Sequence, residues 1–297
     1  MTRKRFPLHR LPLWVYEDVL KLLDIKEHFS LAGTSKKSFK AVQKMVSICC
    51  PQNFRMDCSL TRNRMEIVLS KEQPPYLVHF DTYFRPVQEY ISMIVQLFKV
   101  TRCELSLQDT FETHKDVIQI LKDCGISKVS MWESPGEQTN LEAILDVYCN
   151  IPEVHISRLN AVGAIPTTRT FEFNTLSIEN GIWFSIGHLT ESFLNCKKLY
   201  LKECRLSNAD VNTFLKRWIE GSKMERCCIE NSQFNLREII GDIPVIPAAG
   251  LMLFIDQIYH VDEGSGYIIQ QKNDGPRAII VSHVNRVTLT TEFEFPL

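Results

Sequence analysis

Six short segments of this chain of 297 residues each set two apolar residues between polar ones. They are CELSLQ, KVSMWE, EVHISR, TLSIEN, KLYLKEC and RCCIENS, beginning at Cys103, Lys128, Glu153, Thr175, Lys198 and Arg226. A period of two is the pattern of a half-buried β-strand. Successive starts lie roughly 22–28 residues apart, close to the period of leucine-rich repeats. Helix-like stretches lie between most of them: Lys115 to Cys124, Leu141 to Cys149, Trp183 to Leu194 and Ala209 to Glu220. A strand that returns parallel to its predecessor needs a crossover, and a helix supplies it. The expected fold class is therefore α/β: a leucine-rich-repeat-like curved domain over 101–245, with a parallel sheet inside. A generic layered α/β domain is the alternative.

The last of those helices carries the clearest signals. Ser207 is placed to cap it with Asp210 three residues on, and Gly221 to end it. Val211, Phe214, Leu215, Trp218 and Ile219 would form its buried face. Cys204 follows Leu199 and Leu201 at the spacing of the leucine-rich-repeat Asn/Cys position.

Hairpins are expected at both ends of this region. Over 51–100, FRMDCSL and RMEIVLS read as two strands joined through Thr61, Arg62 and Asn63, with YLVHF as a third beyond the break at Pro74-Pro75. A helix follows from Val87 to Val100, with Val87, Tyr90, Ile91, Ile94, Val95 and Phe98 on one face. Over 246–297, YIIQQKNDGPRAIIVSH places two strand-like runs around an Asn-Asp-Gly turn, and RVTLTTEFEF follows. Gly264-Ser265-Gly266 reads as a hairpin loop rather than a phosphate cradle.

Residues 1–50 read as helical. Pro12 fits a helix start, Asp24 and Glu27 fit a capping box, and Ser35 fits a third cap. Val15, Val19 and Leu22 fall along one side of the first helix, and Tyr16, Leu20 and Leu23 along the next. Phe29 and Ala32 belong to the second helix; Phe39, Val42 and Met45 share a face of the third. Apolar groups on more than one face leave a ridge for something outside the helix's own core.

RLPLWVYEDVLKLLD, followed by EHFSLAGTSKKSFKAV, resembles the F-box. The resemblance implies a helical module over 1–50 that docks on a Skp-type adaptor and, through it, a cullin in a ubiquitin ligase. Carried over by position, Leu11, Pro12, Val15, Val19, Leu20 and Leu23 would supply that surface, with Phe29, Leu31 and Phe39. Trp14 departs from the family pattern, which often has an acidic residue there, and so does Gly33, where an apolar residue is common. Further on, LSIENGIW and LTESFLNCKKLYLKECRLSNADVNTFLKRWIEGS resemble the F-box-associated domain, type 2, of nematode F-box proteins, over about 174–232. The most specific stretch is Leu206 to Ser222, and the C-terminal hairpin also looks like the end of such chains. An F-box ahead of this segment is the order that family shows. The implied function is substrate recognition for the ligase; the alternative is a repeat-protein scaffold outside the ubiquitin system.

Composition narrows the partners. The net charge of -1 gives no field favouring nucleic acid. Arg3, Lys4, Arg5 and Arg10 read as a solvated tail. No signal-peptide pattern is present, and the longest uncharged run, Ile243 to Ile255, is too short to span a bilayer. The 10 cysteines include no C-x-x-C pair and no zinc-ligand spacing. Cys103, Cys124, Cys149, Cys196 and Cys204 sit in apolar segments and read as buried, reduced thiols of a cytoplasmic or nuclear protein. No P-loop, G-x-G-x-x-G, G-x-S-x-G or H-E-x-x-H occurs, so no catalysis and no cofactor or metal is expected.

If the repeat strands turn their apolar residues toward the helices, the alternate residues face the concave side. Those are Ser106, Ser130, Trp132, His155, Ser157, Ser177, Glu179, Tyr200, Lys202, Cys228 and Glu230. Trp132, His155, Glu179, Tyr200, Lys202 and Glu230 are the candidate client contacts. Trp132 and Tyr200 are the aromatic anchors, unless each packs beneath a neighbouring loop.

Overall fold

All six alternating segments are β-strands in a computed structural model of the chain. The structure describes residues 11–49, 54–61, 64–70, 76–81, 86–108, 111–132, 139–157, 161–162, 169–231, 233–254, 258–283 and 285–294. The basic cluster from Arg3 to Arg10, the Arg62-Asn63 turn and the Pro74-Pro75 break lie outside them. The chain divides into two compact units, Met1–Ser127 and Lys128–Leu297.

The first unit opens with helices α1 (Leu13–Leu22), α2 (Ile25–Ala32) and α3 (Lys36–Cys49). Pro12 is the N-cap of α1, its carbonyl accepting from Tyr16 N–H at 3.0 Å. Asp24 and Glu27 close a reciprocal capping box on α2 at 2.7 and 2.9 Å. Ser35 Oγ accepts from Ser38 N–H at the start of α3. These pairs satisfy amide groups that a helix start otherwise leaves without partners. Strands β1 (Phe54–Thr61), β2 (Arg64–Ser70) and β3 (Tyr76–Asp81) follow, then α4 (Val87–Leu97), β4 (Val100–Gln108), α5 (Phe111–Leu121) and a 3-10 turn at Lys122–Cys124.

The sheet order in this unit is β4-β1-β2-β3, with β1 parallel to β4 and the other pairs antiparallel. Phe54, Met56, Cys58 and Leu60 of β1 and Met65, Ile67 and Leu69 of β2 are buried, the alternation expected of a strand with one face in a core. Phe54 meets Phe98 edge-on at 5.4 Å. The helix expected to reach Val100 ends at Leu97, because Phe98 turns to extended backbone and enters that core. Gly125 takes a left-handed conformation with φ of +63°, and a Cβ there would lie 2.7 Å from the Thr101 carbonyl oxygen.

The second unit contains most of β5 (Ile126–Trp132), then β6 (Thr139–Asn140), α6 (Leu141–Tyr148), β7 (Glu153–Ser157), β8 (Ala161–Val162) and β9 (Thr175–Ile178). After them come β10 (Lys198–Leu201), α7 (Asn208–Glu220), β11 (Arg226–Glu230) and α8 (Leu236–Ile240). The remainder is β12 (Ile246–Pro247), β13 (Met252–Phe254), β14 (Ile258–His260), β15 (Gly266–Gln270), β16 (Arg277–His283), β17 (Arg286–Thr290) and β18 (Phe293–Glu294). β5, β7, β9, β10 and β11 pair in parallel, each with the next. β17, β16, β15 and β12 then extend the sheet antiparallel from β11.

The expected helix from Trp183 to Leu194 is only a short turn, π-helical at His188–Ser192. Thr190 Oγ bonds back to the Ile186 carbonyl inside it, a pairing that competes with regular helix. By contrast α7 has its full capping box, Ser207 with Asp210, and ends at Gly221. Its Trp218 is fully buried and donates Nε1–H to the Met224 carbonyl at 2.9 Å. The Asn-Asp-Gly turn between β15 and β16 has Asn273 and Asp274 at φ of 56° and 55°, the left-handed pair that a tight hairpin requires.

The two faces of the unit-two sheet differ. Val129, Met131, Val154, Ile156, Leu199, Leu201, Cys227 and Ile229 point one way and are buried. Tyr148 of α6 donates its hydroxyl to the Met131 sulfur at 3.4 Å, which places α6 on that face. On the opposite face, β15 and β16 present Ile268, Ile279 and Val281 to a small sheet of order β14-β13-β18. Leu251, Leu253 and Val261, with Tyr259 and Phe293, complete that second core.

Candidate functional site

Two surfaces stand out, one in each unit. The first is the outward side of α1. Tyr16 and Leu20, four residues apart, are buried in the unit's own interior, and the Leu20 carbonyl accepts from His28 Nε2 at 2.7 Å. Val15, Val19 and Leu23 are half-buried. Trp14 and Leu22 are 69% and 85% exposed. Trp14, Asp18 and Leu22 follow one another at four-residue spacing, so they form one stripe along the helix. Asp18 pairs with Lys21 at 2.9 Å on the same side.

Of the residues assigned to this surface from sequence, Pro12 is exposed and Leu11, Leu31 and Phe39 are half-buried. Leu20 and Phe29 are turned inward, Phe29 stacking on Tyr90 of α4 at 6.1 Å. Trp14 and Leu22 were not among the assigned residues. Counting in fours from Trp14 would have found this stripe.

The second surface is the face of the unit-two sheet opposite α6, over β5, β7, β9, β10 and β11. Ser130, His155, Ser177, Tyr200, Cys228 and Thr288 are successive cross-strand partners and form one row. Trp132, His155, Glu179 and Tyr200 are half-buried, and Lys202 and Glu230 are exposed. The six candidate client contacts thus share one sheet face. The small residues expected beside them, Ser157, Ser177 and Cys228, are buried instead.

Ion pairs organise this face. Glu153 takes Lys128 at 2.9 Å and His155 Nε2 at 2.7 Å. Partial burial alone would raise the Glu153 carboxyl, but the hydrogen bonds from His155 and Lys128 outweigh it and lower its pKa. A hydrogen bond from Ser157, aided by Lys202 at 3.4 Å, holds Glu179 below the usual carboxylate range. Glu292 pairs with Lys198 at 2.9 Å and with Arg226, and the Lys198 hydrogen bond leads in lowering its pKa. Arg226 also donates toward the Tyr200 hydroxyl at 3.5 Å.

The thiols are of a different kind. Burial pushes Cys58, Cys103 and Cys196 up to about 12, so they stay protonated and weakly nucleophilic. Cys149 departs from the expected burial. It lies just past the end of α6, half-exposed, with its Sγ–H directed to the Asp146 carbonyl. Among the described residues, no group of three or more His, Cys, Asp or Glu side chains could hold a metal ion. No described helix is long and apolar enough to cross a membrane.

The strands and helix at the centre of this second surface can be compared with known proteins. Residues 168–236 match the F-box associated family. The matched segment runs from before β9 through β10, α7 and β11 to the first residue of α8. It therefore contains Glu179, Tyr200, Lys202 and Glu230. Over 119 residues the chain is also 28% identical to the Skn-1 dependent zygotic transcript 15 protein of Caenorhabditis elegans. That alignment covers 39% of this chain and 34% of that protein. The chain thus spans about a third of the length of the curated relative it matches.

Proposed function

We propose that this chain is a non-catalytic substrate-recognition subunit of a Skp–cullin–F-box type ubiquitin ligase. The match of residues 168–236 to the F-box associated family carries this reading. The helices α1–α3 act as the F-box and bind a Skp-type adaptor, which connects the chain to a cullin. The exposed Trp14 and Leu22, with Pro12 and the half-buried Leu11, Val15, Val19 and Leu23, supply the contact. Exposed large apolar groups at helical spacing are the sort of surface a partner covers. The sheet face of unit two, curved as in a leucine-rich repeat, holds a client protein, with Trp132 and Tyr200 as aromatic anchors. Ubiquitin transfer then follows from proximity: a tethered client has a high effective concentration beside the ubiquitin-carrying enzyme. The site of action is the cytoplasm or nucleus.

Co-expression with a Skp-type adaptor and affinity capture tests the helical half. Trp14→Ala combined with Leu22→Ala should weaken capture about tenfold or more. Both side chains are mostly in solvent, so the variant should melt within a few degrees of the parent chain. Capture of equal strength by the parent and this variant would sink the assignment.

A further inference from the structure

Where the open sheet face meets the small β14-β13-β18 sheet, Glu230, His283, Asn285 and Arg286 line a notch of about 310 Å³. The strands set these residues side by side, because Glu230 is the cross-strand partner of Arg286, and Arg286 of His283. Tyr259 of the small sheet meets the His283 ring edge-on at 4.8 Å and fixes one wall. The Asn231 amide donates to the Asn285 carbonyl at 2.7 Å and fixes the other.

The charges in and around this notch are unevenly matched. Glu153, Glu179 and Glu292, on the same face, are each ion-paired with at least one cation. Glu230 is exposed and has no ion-pair partner among the described residues. A carboxylate held on a rigid strand end, beside a donor amide and an imidazole, suits a cationic side chain arriving with its own peptide groups.

We propose that this notch receives one lysine or arginine side chain of an extended client segment, with Glu230 as its counter-charge and Asn285 and His283 available to the adjoining backbone. The proposal rests on the client-binding role given above to this sheet face, and it specifies what that face reads. It does not depend on the adaptor contact.

The test is an array of short immobilised peptides, varied one position at a time and probed with the full chain. The parent chain should prefer Lys or Arg at one position over its neutral replacement by about tenfold. That preference should vanish in Glu230→Gln and turn toward Asp or Glu in Glu230→Arg. Both substitutions are at an exposed position, and unchanged melting temperatures would show the variants folded. Peptide binding without a basic preference, or a preference that survives in Glu230→Gln, overturns the proposal but leaves client recognition by this face standing. No peptide binding at all by a chain that still captures the adaptor overturns it as well. Loss of adaptor capture with the basic preference intact would overturn the ligase reading and leave this proposal supported.

Discussion

Glu292 reaches Lys198 at 2.9 Å across 94 residues of sequence, and the same carboxylate pairs with Arg226. It sits in the link between β17 and β18, so the C-terminal strands are tied to the start of β10 and β11 by charge as well as by backbone pairing. Arg226 is only 6% exposed, whereas Glu292 keeps 39% of its side chain in water.

Replacing Glu292 by Gln should therefore remove a charge partner from a nearly buried guanidinium. We expect a loss of about 1–2 kcal/mol, below the cost of breaking a fully buried pair because the carboxylate is part-solvated. Urea unfolding followed by tryptophan fluorescence would measure it. An unchanged midpoint would show the pair to be idle.

The lowered pKa values of Glu153, Glu179 and Glu292 have a common consequence. In the unfolded chain these groups take up protons around the usual glutamate value of about 4.3, and in the folded chain only below it. Their contribution to stability is complete above that value and is lost as pH falls through the lower folded values. The melting temperature should drop steeply below about pH 4.5 and more shallowly in a Glu153→Gln, Glu179→Gln double variant.

His114 predicts an effect at milder pH. Burial lowers its pKa to about 4 from an ordinary value of about 6.5. Below about 6.5 the unfolded chain binds a proton that the folded chain refuses, so stability falls as pH drops from there toward 4 and no further from this group. The full difference is about 3 kcal/mol. Denaturant midpoints at pH 7.5 and 5 should differ in the parent chain and converge in His114→Leu, provided that variant folds at pH 7.5.

Trp218 fills the centre of the α7 core and holds the Met224 carbonyl. Trp218→Phe should lose about 2–4 kcal/mol, from a residual cavity and an abandoned buried acceptor. A loss under about 1 kcal/mol would mean that water or another donor replaces the indole.

Gly266 shows how tightly the small sheet sits. A Cβ there would lie 2.6 Å from Cγ1 of Val261 and 3.0 Å from Cγ1 of Val281. Gly266→Ala should cost about 1–3 kcal/mol by overpacking, and Val261→Ala in the same chain should recover part of it. Failure of that rescue would locate the strain elsewhere.

Where the sequence reading succeeded, the signals were local. The capping pairs Asp24–Glu27 and Ser207–Asp210, the Asn273-Asp274 turn and the alternation in β1 and β10 are short-range patterns that depend on few neighbours. It failed where a distant neighbour decided the outcome. Phe98 left its helix for the side of Phe54. Ser177 and Cys228 are buried although their strand parity groups them with the half-buried His155 and Tyr200.

The amino-acid order alone determined the α/β alternation, the strand parity and the presence of spare apolar residues on α1, because backbone periodicity dictates which side chains share a face. Only the tertiary structure decided that Trp14 and Leu22 stay in solvent and that the carboxylates of Glu153, Glu179 and Glu292 find cations while Glu230 finds none among the described residues. The cations of these pairs, Lys128, Lys202, Arg226 and Lys198, are brought to their carboxylates from 23 to 94 positions away, beyond the reach of a short window of sequence.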